Sequence, residues 1–540
     1  MHISRYFYHS LLILPLLQSA ISFSLARDIF NPNELIQPDF FSNSSPAFQN
    51  YCSTPSTQKS FHNKENGCPK WIYKDLPLCP SSGVTMLSDD YPAIAHVLPG
   101  RPVDPIPLKE QIYKSTDYSR EENWSRQAKN FHLSFVEAIE KTSGNRPPLV
   151  VLPTPNFIYQ ETKAGYIFNH PNSSFTDQLI PAPFFSNHTF VQDVFETSFD
   201  PNSGKGQWVP ILNKASNGID IETEDDRIKK TREIMKALSE VCPDIAEGKA
   251  LIAPGSVERL GAGAGGNIES LPGGLCLSGS NQSDILRDQY CGKEENKIIV
   301  DVSWLSVGHA DEIVSVQPTG SRAGKCNFVV TIASIEKSLE LLEKNPDVPF
   351  FGESKPLTRT GGNKNREFLC SRLDQHKKSC SPTNGEVLKL SQTDKKWKLY
   401  LDLLRQVMTN NQKKIVKKLK ERHQHCDFDV IEMPVLYGFR GSTGMKINKG
   451  VSDDAPVDQK YRLANKRGFT LLPNPVNKLS TNAGSVYSKT HNPVFDAYIE
   501  TEFKRVKTRS ESIDTLPFLQ MGGGDLHCAT QTIRVCKPIE

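Results

Sequence analysis

Asp301-Val-Ser-Trp-Leu-Ser-Val-Gly-His-Ala-Asp-Glu-Ile-Val-Ser-Val-Gln-Pro318 is the stretch on which the reading of this chain turns. It sets His309 and Asp311 two residues apart, between strand-like runs at 297–302 and 313–316. On an extended backbone, residues two apart point to the same side. A histidine beside a carboxylate is then a tuned acid or base near neutral pH. An ordinary polar turn would use the same residues, so the pair needs support from elsewhere in the chain.

Working outward, the pattern alternates. An apolar run at 328–332 precedes a helical pattern at 334–343. The longest helical pattern covers 394–423, with Trp397, Leu401, Leu404, Met408, Ile415 and Leu419 on one face, and a strand pattern follows at 430–435. Upstream, residues 123–141 read as a helix with Trp124, Phe131, Phe135 and Ile139 on one face. The apolar run 149–152 follows, then a helix at 227–241 and a strand at 250–253. Strands alternating with helices predict an α/β class. Residues 27–90 are rich in Pro, Asn and Ser and lack sustained periodicity. No repeat is visible. The run GAGAGG at 261–266 fits a dinucleotide fingerprint in letters, but Pro272 follows within six residues, so it does not open a helix.

Composition narrows the function classes. With 64 basic and 61 acidic residues in 540, net charge is +3 and no basic block asks for nucleic acid. The basic run 413–420 lies on the long helix pattern and reads as its solvated face. The first residues resemble a secretory leader. Arg5 precedes the apolar run LLILPLL at 11–17, and small residues follow, with cleavage expected after Ser22 or Ala26. Pro15 and the shortness of the run argue against a membrane anchor. Asn43, Asn123, Asn172, Asn187 and Asn281 each begin an N-x-Ser/Thr sequon. The 12 cysteines suit an oxidising compartment, and none falls in a CxxC zinc pattern. Cys52, Cys68 and Cys79 are expected to staple the N-terminal region. One free catalytic cysteine would leave 11, so a second would also be unpaired.

Two further segments carry candidate chemistry. Met521-Gly-Gly-Gly-Asp-Leu-His-Cys-Ala-Thr-Gln531 places Cys528 after a glycine-rich turn that allows close backbone approach to a ligand. Its thiolate would be the reactive species. Phe190-Val-Gln-Asp-Val-Phe-Glu196 sets Asp193 among apolar residues, where a carboxylate must be paired or functional.

Together with Gly265-Gly-Asn-Ile-Glu269, the segments GHADE, GGGDLHCATQ and VQDVFE resemble the motifs of the peptidyl-arginine deiminases, of the guanidino-group-modifying pentein superfamily, over roughly residues 115–540. GGGDLHCATQ is similar to agmatine deiminases as well, whereas VQDVFE favours the protein-arginine branch. The resemblance implies an α/β propeller of five ββαβ-type modules around a central pocket. A secretory leader at 1–22 and an N-terminal region at 23–114 would precede the catalytic domain at 115–540. It implies Cys528 as nucleophile, His309 as acid and base, and Asp193 and Asp311 as the pair that grips a guanidinium. It also implies Ca²⁺, held by Gln192, Glu196 and Glu269 with backbone oxygens near Gly265 and Ile268. Val194 stands where an acidic ligand of a second calcium site would be expected. The implied reaction of a secreted, extracellular enzyme turns arginine of proteins or peptides into citrulline and ammonia through a thiouronium on the cysteine. No nucleic acid or membrane partner is implied. A deiminase of free arginine or agmatine, a binding protein on an inactive scaffold and a secreted cysteine peptidase are the competing readings.

Overall fold

Five sheets share one connection pattern, in which an antiparallel pair is followed by a third strand parallel to the second. Ile268–Leu271 and Leu275–Gly279 pair antiparallel, and Lys297–Val300 then joins parallel. Val314–Pro318, Lys325–Ser334 and Asp427–Pro434 repeat the pattern, as do Leu479–Ser480, Gly484–Ser488 and Arg509–Ile513. Phe195–Phe199 and Gly206–Asn213 form the pair of a fourth sheet, to which Ile245–Glu247 and Leu251–Ala253 add parallel strands. In the fifth the chain ends meet. Ala93–Val97 lies between antiparallel Gln531–Arg534 and parallel Leu149–Leu152. A parallel crossover needs a long connection, and helices supply it: Asp284–Cys291, Pro493–Arg505 and Tyr118–Ser143 in three sheets, and Ile335–Lys344 with Lys395–Arg422 among others in the second. The α/β class is therefore observed, and each sheet is open.

This is a computed structural model. It describes most of residues 68–538; outside the described residues lie 1–67, 99–117, 169–178, 182–194, 214–231, 254–264, 353–363, 374–379, 449–460, 521–523 and some shorter segments. The leader, Asp193 and Gln192, the sequons at Asn43, Asn172 and Asn187, and most of the helix expected at 227–241 fall there. Among the described residues no helix is long and apolar enough to cross a membrane.

The helix starts follow local chemistry. Asp394 accepts the backbone N–H groups of Lys396 and Trp397, so the long helix begins at Lys395 and runs to Arg422. Thr383 and Glu386 form a capping box at Asn384–Thr393. Asn492 caps Pro493–Arg505. Trp397, Tyr400, Leu401, Leu404, Met408, Ile415 and Leu419 of the long helix are buried in the largest core, with Trp304 and Tyr437. Lys413, Lys414, Lys417 and Lys420 face solvent, as the sequence predicts.

The cysteines correct the expected N-terminal staple. Cys68 pairs with Cys242 and Cys79 with Cys536, so these two tie the N-terminal region to the body of the protein rather than to itself. The strand Ala93–Val97, placed in the N-terminal region by sequence, is central to its sheet for the same reason: its apolar side chains find their partners in strands far along the chain. Cys276–Cys291, Cys326–Cys426 and Cys370–Cys380 complete five disulfides. Cys528 is free and buried, and Cys52 lies outside the described residues.

Candidate active site

The site residues occupy corresponding places in the modules, two or three residues before the first strand of each. Gly266 precedes Ile268–Leu271, Asp311 precedes Val314–Pro318, Asn477 precedes Leu479–Ser480 and Cys528 precedes Gln531–Arg534. Asp193, outside the described residues, has the same chain position before Phe195–Phe199. The modules thus deliver residues separated by over 200 positions to one point.

His309 and Asp311 come together, though not by the extended route expected. His309 is extended, with φ −105° and ψ 149°, and a 3-10 turn, Ala310–Glu312, then carries Asp311. The turn buries both carboxylates, Asp311 and Glu312. His309, Asp311 and Cys528 are buried with their polar side-chain atoms within 4.8 Å of one another. Gly308 permits the approach: its φ is +84°, which disfavours a side chain. Its carbonyl accepts from Nδ2 of Asn281, whose Oδ1 accepts from Nδ2 of the buried Asn267. The amide of the half-buried sequon asparagine at 281 is thereby engaged by Gly308 and Asn267. Gly266 is the floor of the site, since a Cβ there would stand 2.8 Å from Asp311 Oδ2 and 2.9 Å from His309 Nδ1.

Asp311 Oδ2 is the hub. The thiol of Cys528 donates to it at 3.1 Å, Asn477 Nδ2 at 2.7 Å and His527 Nδ1 at 3.1 Å. Asp311 Oδ1 is buried with no hydrogen-bond partner among the described residues, an acceptor available to a cationic substrate. Glu269 Oε1 lies 3.6 Å from His527 Nδ1. Burial opposes charge on His527, but Glu269 and Asp311 outweigh it and raise its pKa to about 10, so it is an imidazolium at neutral pH. Burial, then the carboxylates of Asp311 and Glu312, push the Cys528 thiol well above its ordinary range. Glu312 is itself pushed well up by burial and by Asp311 and Asp525.

Asp525 secures the turn that carries Cys528. It precedes the short helix Leu526–Ala529 and accepts from Ser488 Oγ, Thr515 Oγ1 at 2.7 Å and the backbone N–H of Asn474 at 2.7 Å. Burial holds its pKa up at about 6 despite those bonds. A cavity of about 50 Å³ is lined by Glu312, Arg440, Phe469, Asn474, Asn477 and Asp525 among others. Sequence reading missed Asn477, Asp525 and His527. Only the adjacency of the last two to Cys528 could have suggested them; Asn477 stands 51 residues away.

Of the calcium ligands expected, Gly265 lies in the 3-10 turn Gly265–Asn267, with Ile268 and Glu269 opening the strand after it. Glu196 lies in Phe195–Phe199, paired with Val209. Glu269 turns its carboxylate toward the site, as its approach to His527 shows.

A free buried thiol, a histidine and a carboxylate thus meet in one buried cluster. Comparison gives the family. The family model of protein-arginine deiminase (PAD) matches residues 265–539, and the chain belongs to that family. Membership places it among hydrolases that act on guanidino C–N bonds. No curated protein matches the chain. Among solved structures it is similar to an agmatine deiminase of C. jejuni, at 12% identity over 84% of this chain and 97% of that one, with a TM-score of 0.37. It is also similar to an agmatine deiminase of Enterococcus faecalis, at 12% identity over 84% and 96%, with a TM-score of 0.40. A putative peptidyl-arginine deiminase matches at 13% identity over 84% and 98%, with a TM-score of 0.39.

Proposed function

We propose that this chain is a secreted, calcium-dependent deiminase that converts arginine of proteins or peptides to citrulline. The observation that carries the reading is the convergence of Cys528, His309 and Asp311 in one buried cluster with Asp311 Oδ1 unspent. Asp311, with Asp193, takes the planar guanidinium through paired N–H donors. That cation offsets the negative field that keeps Cys528 protonated. Cys528 gives its proton to His309 as its Sγ bonds to the central carbon, and His309 passes that proton to the departing nitrogen as the C–N bond breaks and ammonia leaves. His309 then takes a proton from water, whose oxygen bonds to the same carbon as the C–S bond breaks.

The five sheets of common connection pattern support the five-bladed propeller arrangement expected from the resemblance. Calcium goes with the same reading. Glu269, with Glu196, Gln192 and the backbone oxygens of Gly265 and Ile268, offers the hard oxygen donors that Ca²⁺ takes. Gln192 and Glu196 flank Asp193 in sequence, so the ion and the guanidinium would be held by one segment. The five disulfides support an oxidising, extracellular setting, together with the leader-like residues 1–22.

The test is citrulline formation on a blocked arginine peptide and on free arginine across a calcium titration, with Cys528→Ser as control. Calcium-dependent turnover of the peptide, abolished by the substitution, is expected. Turnover of free arginine or agmatine alone would move the protein to small-molecule substrates. Absence of turnover on all of them would overturn the reading.

A further inference from the structure

The side chain of Asn477 touches the nucleophile from both ends. Its Nδ2 is 3.2 Å from Cys528 Sγ and 2.7 Å from Asp311 Oδ2. Its Oδ1 accepts the backbone N–H of His527 at 2.9 Å and that of Cys528 at 3.3 Å. These partners fix which way the amide faces. Two backbone N–H groups require an oxygen, and a carboxylate requires an N–H donor. No aspartate, serine or alanine supplies both halves at that reach. Asn477 is 1% exposed, so its bonds do not compete with bulk water.

The neighbouring residue anchors it. Lys478 is fully buried, with Nζ donating to Ser315 Oγ and to Thr331 Oγ1, and its backbone N–H bonds Val476 O at 2.9 Å. Val476 O also accepts from Ser315 Oγ at 2.7 Å. The tripeptide 476–478 is therefore tied to the strands that follow His309 and Asp311, while its middle side chain reaches across to Cys528. In the order of modules, Asn477 holds the place that Asp311 and Cys528 hold in theirs.

We propose that Asn477 is a catalytic residue of this site: its amide N–H holds the sulfur of Cys528 as the thiolate forms, and its carbonyl fixes the turn that presents that sulfur. A donor already aimed at the atom that gains negative charge lowers the barrier without reorganising when the charge appears. The hydrogen bond to Asp311 keeps the same amide in register with the carboxylate that receives the substrate. The inference rests on Cys528 being the nucleophile.

The experiment uses the full chain with Asn477→Ala, the near-isosteric Asn477→Asp, and Cys528→Ser, assayed on a blocked arginine peptide at saturating calcium. Both Asn477 variants should lose about 10²–10³-fold in kcat, with KM within about threefold of the wild type. Alkylation of Cys528 by chloroacetamidine, a small amidinium, should slow, and its pH profile should move to higher pH. A merely structural role would lower the melting temperature and leave that profile unmoved. If Asn477→Ala does not fold, Asn477→Asp carries the test. Variants that keep kcat within about threefold, or that lose it with an unchanged alkylation profile, would overturn the inference. Turnover that survives in Cys528→Ser would instead fail the parent reading.

Discussion

The thiol of Cys528 donates its hydrogen bond to Oδ2 of Asp311, 3.1 Å away. In this arrangement the carboxylate holds Cys528 as the thiol, the form that is less reactive than the thiolate. Burial and the charges of Asp311 and Glu312 all push the thiol up. Neutral iodoacetamide should therefore alkylate Cys528 slowly at pH 8, and an amidinium reagent should alkylate it at least about tenfold faster, because the cation neutralises Asp311. In Asp311→Asn, iodoacetamide should react faster than with wild type while turnover is lost. Equal rates for the two reagents on the wild type would sink this account.

Gly266 leaves no room for a side chain against the catalytic pair. A methyl group 2.8 Å from Asp311 Oδ2 and 2.9 Å from His309 Nδ1 must displace one of them. Gly266→Ala should keep its fold by circular dichroism and lose at least about 10²-fold in kcat, the cost expected for roughly 1 Å of misplacement. A variant with wild-type kcat would show that the pair tolerates the shift.

His527 makes stability depend on pH. Its pKa is raised to about 10 by Glu269 and Asp311 against the opposing effect of burial. A raised pKa means the native state holds the proton more tightly than the unfolded chain. The contribution is fully present below about pH 6.5 and is lost as pH rises through about 10. In calcium-free protein, where Glu269 keeps its charge for His527, His527→Gln should melt well below the wild type at pH 6, by the equivalent of a few kcal/mol, and the gap should close by about pH 10.5. A gap that is constant across that range would refute the charge assignment.

Asn281 begins a sequon, yet its amide is bonded to Gly308 O at 3.1 Å and to Asn267 at 3.1 Å. A glycan on Nδ2 would break the first contact and loosen the turn ahead of His309. Peptide mapping of the secreted protein should find Asn281 unmodified. Asn281→Ala should lower kcat more than it lowers the melting temperature. Full glycan occupancy with normal activity would contradict this.

The bridge between Cys79 and Cys536 joins positions 457 residues apart. It holds the segment before Ala93–Val97 beside the end of Gln531–Arg534, just past the nucleophile. Cys79→Ser should destabilise the protein by about 2–5 kcal/mol, measured by denaturant unfolding. An unchanged midpoint would mean that sheet pairing alone seats that end of the chain.

The α/β alternation, the long helix with its basic solvent face, and the short motifs that carry Cys528, His309 and Asp311 were all legible in sequence. These are local signals: periodicity, capping residues and short motifs each lie within a few turns of chain. The five-fold recurrence of one sheet pattern was not legible in periodicity or spacing and was expected only through the family resemblance, because the modules share backbone connections rather than side chains. Disulfide partners were hidden for a related reason: Cys68 and Cys79 find Cys242 and Cys536 only after the chain ends are brought together.

Asn477 marks the boundary most clearly. In sequence, Asn474-Pro-Val-Asn-Lys478 is an unremarked loop. In the fold, the asparagine at 477 grips a sulfur 51 residues away and a carboxylate 166 residues away. The sequence by itself determined which chemical groups this protein carries and the class of its elements, since both depend on neighbours along the chain. Only the tertiary structure decided which groups meet, which of them are deprived of water and so which have shifted proton affinities, because burial and Coulomb interaction depend on distance in space.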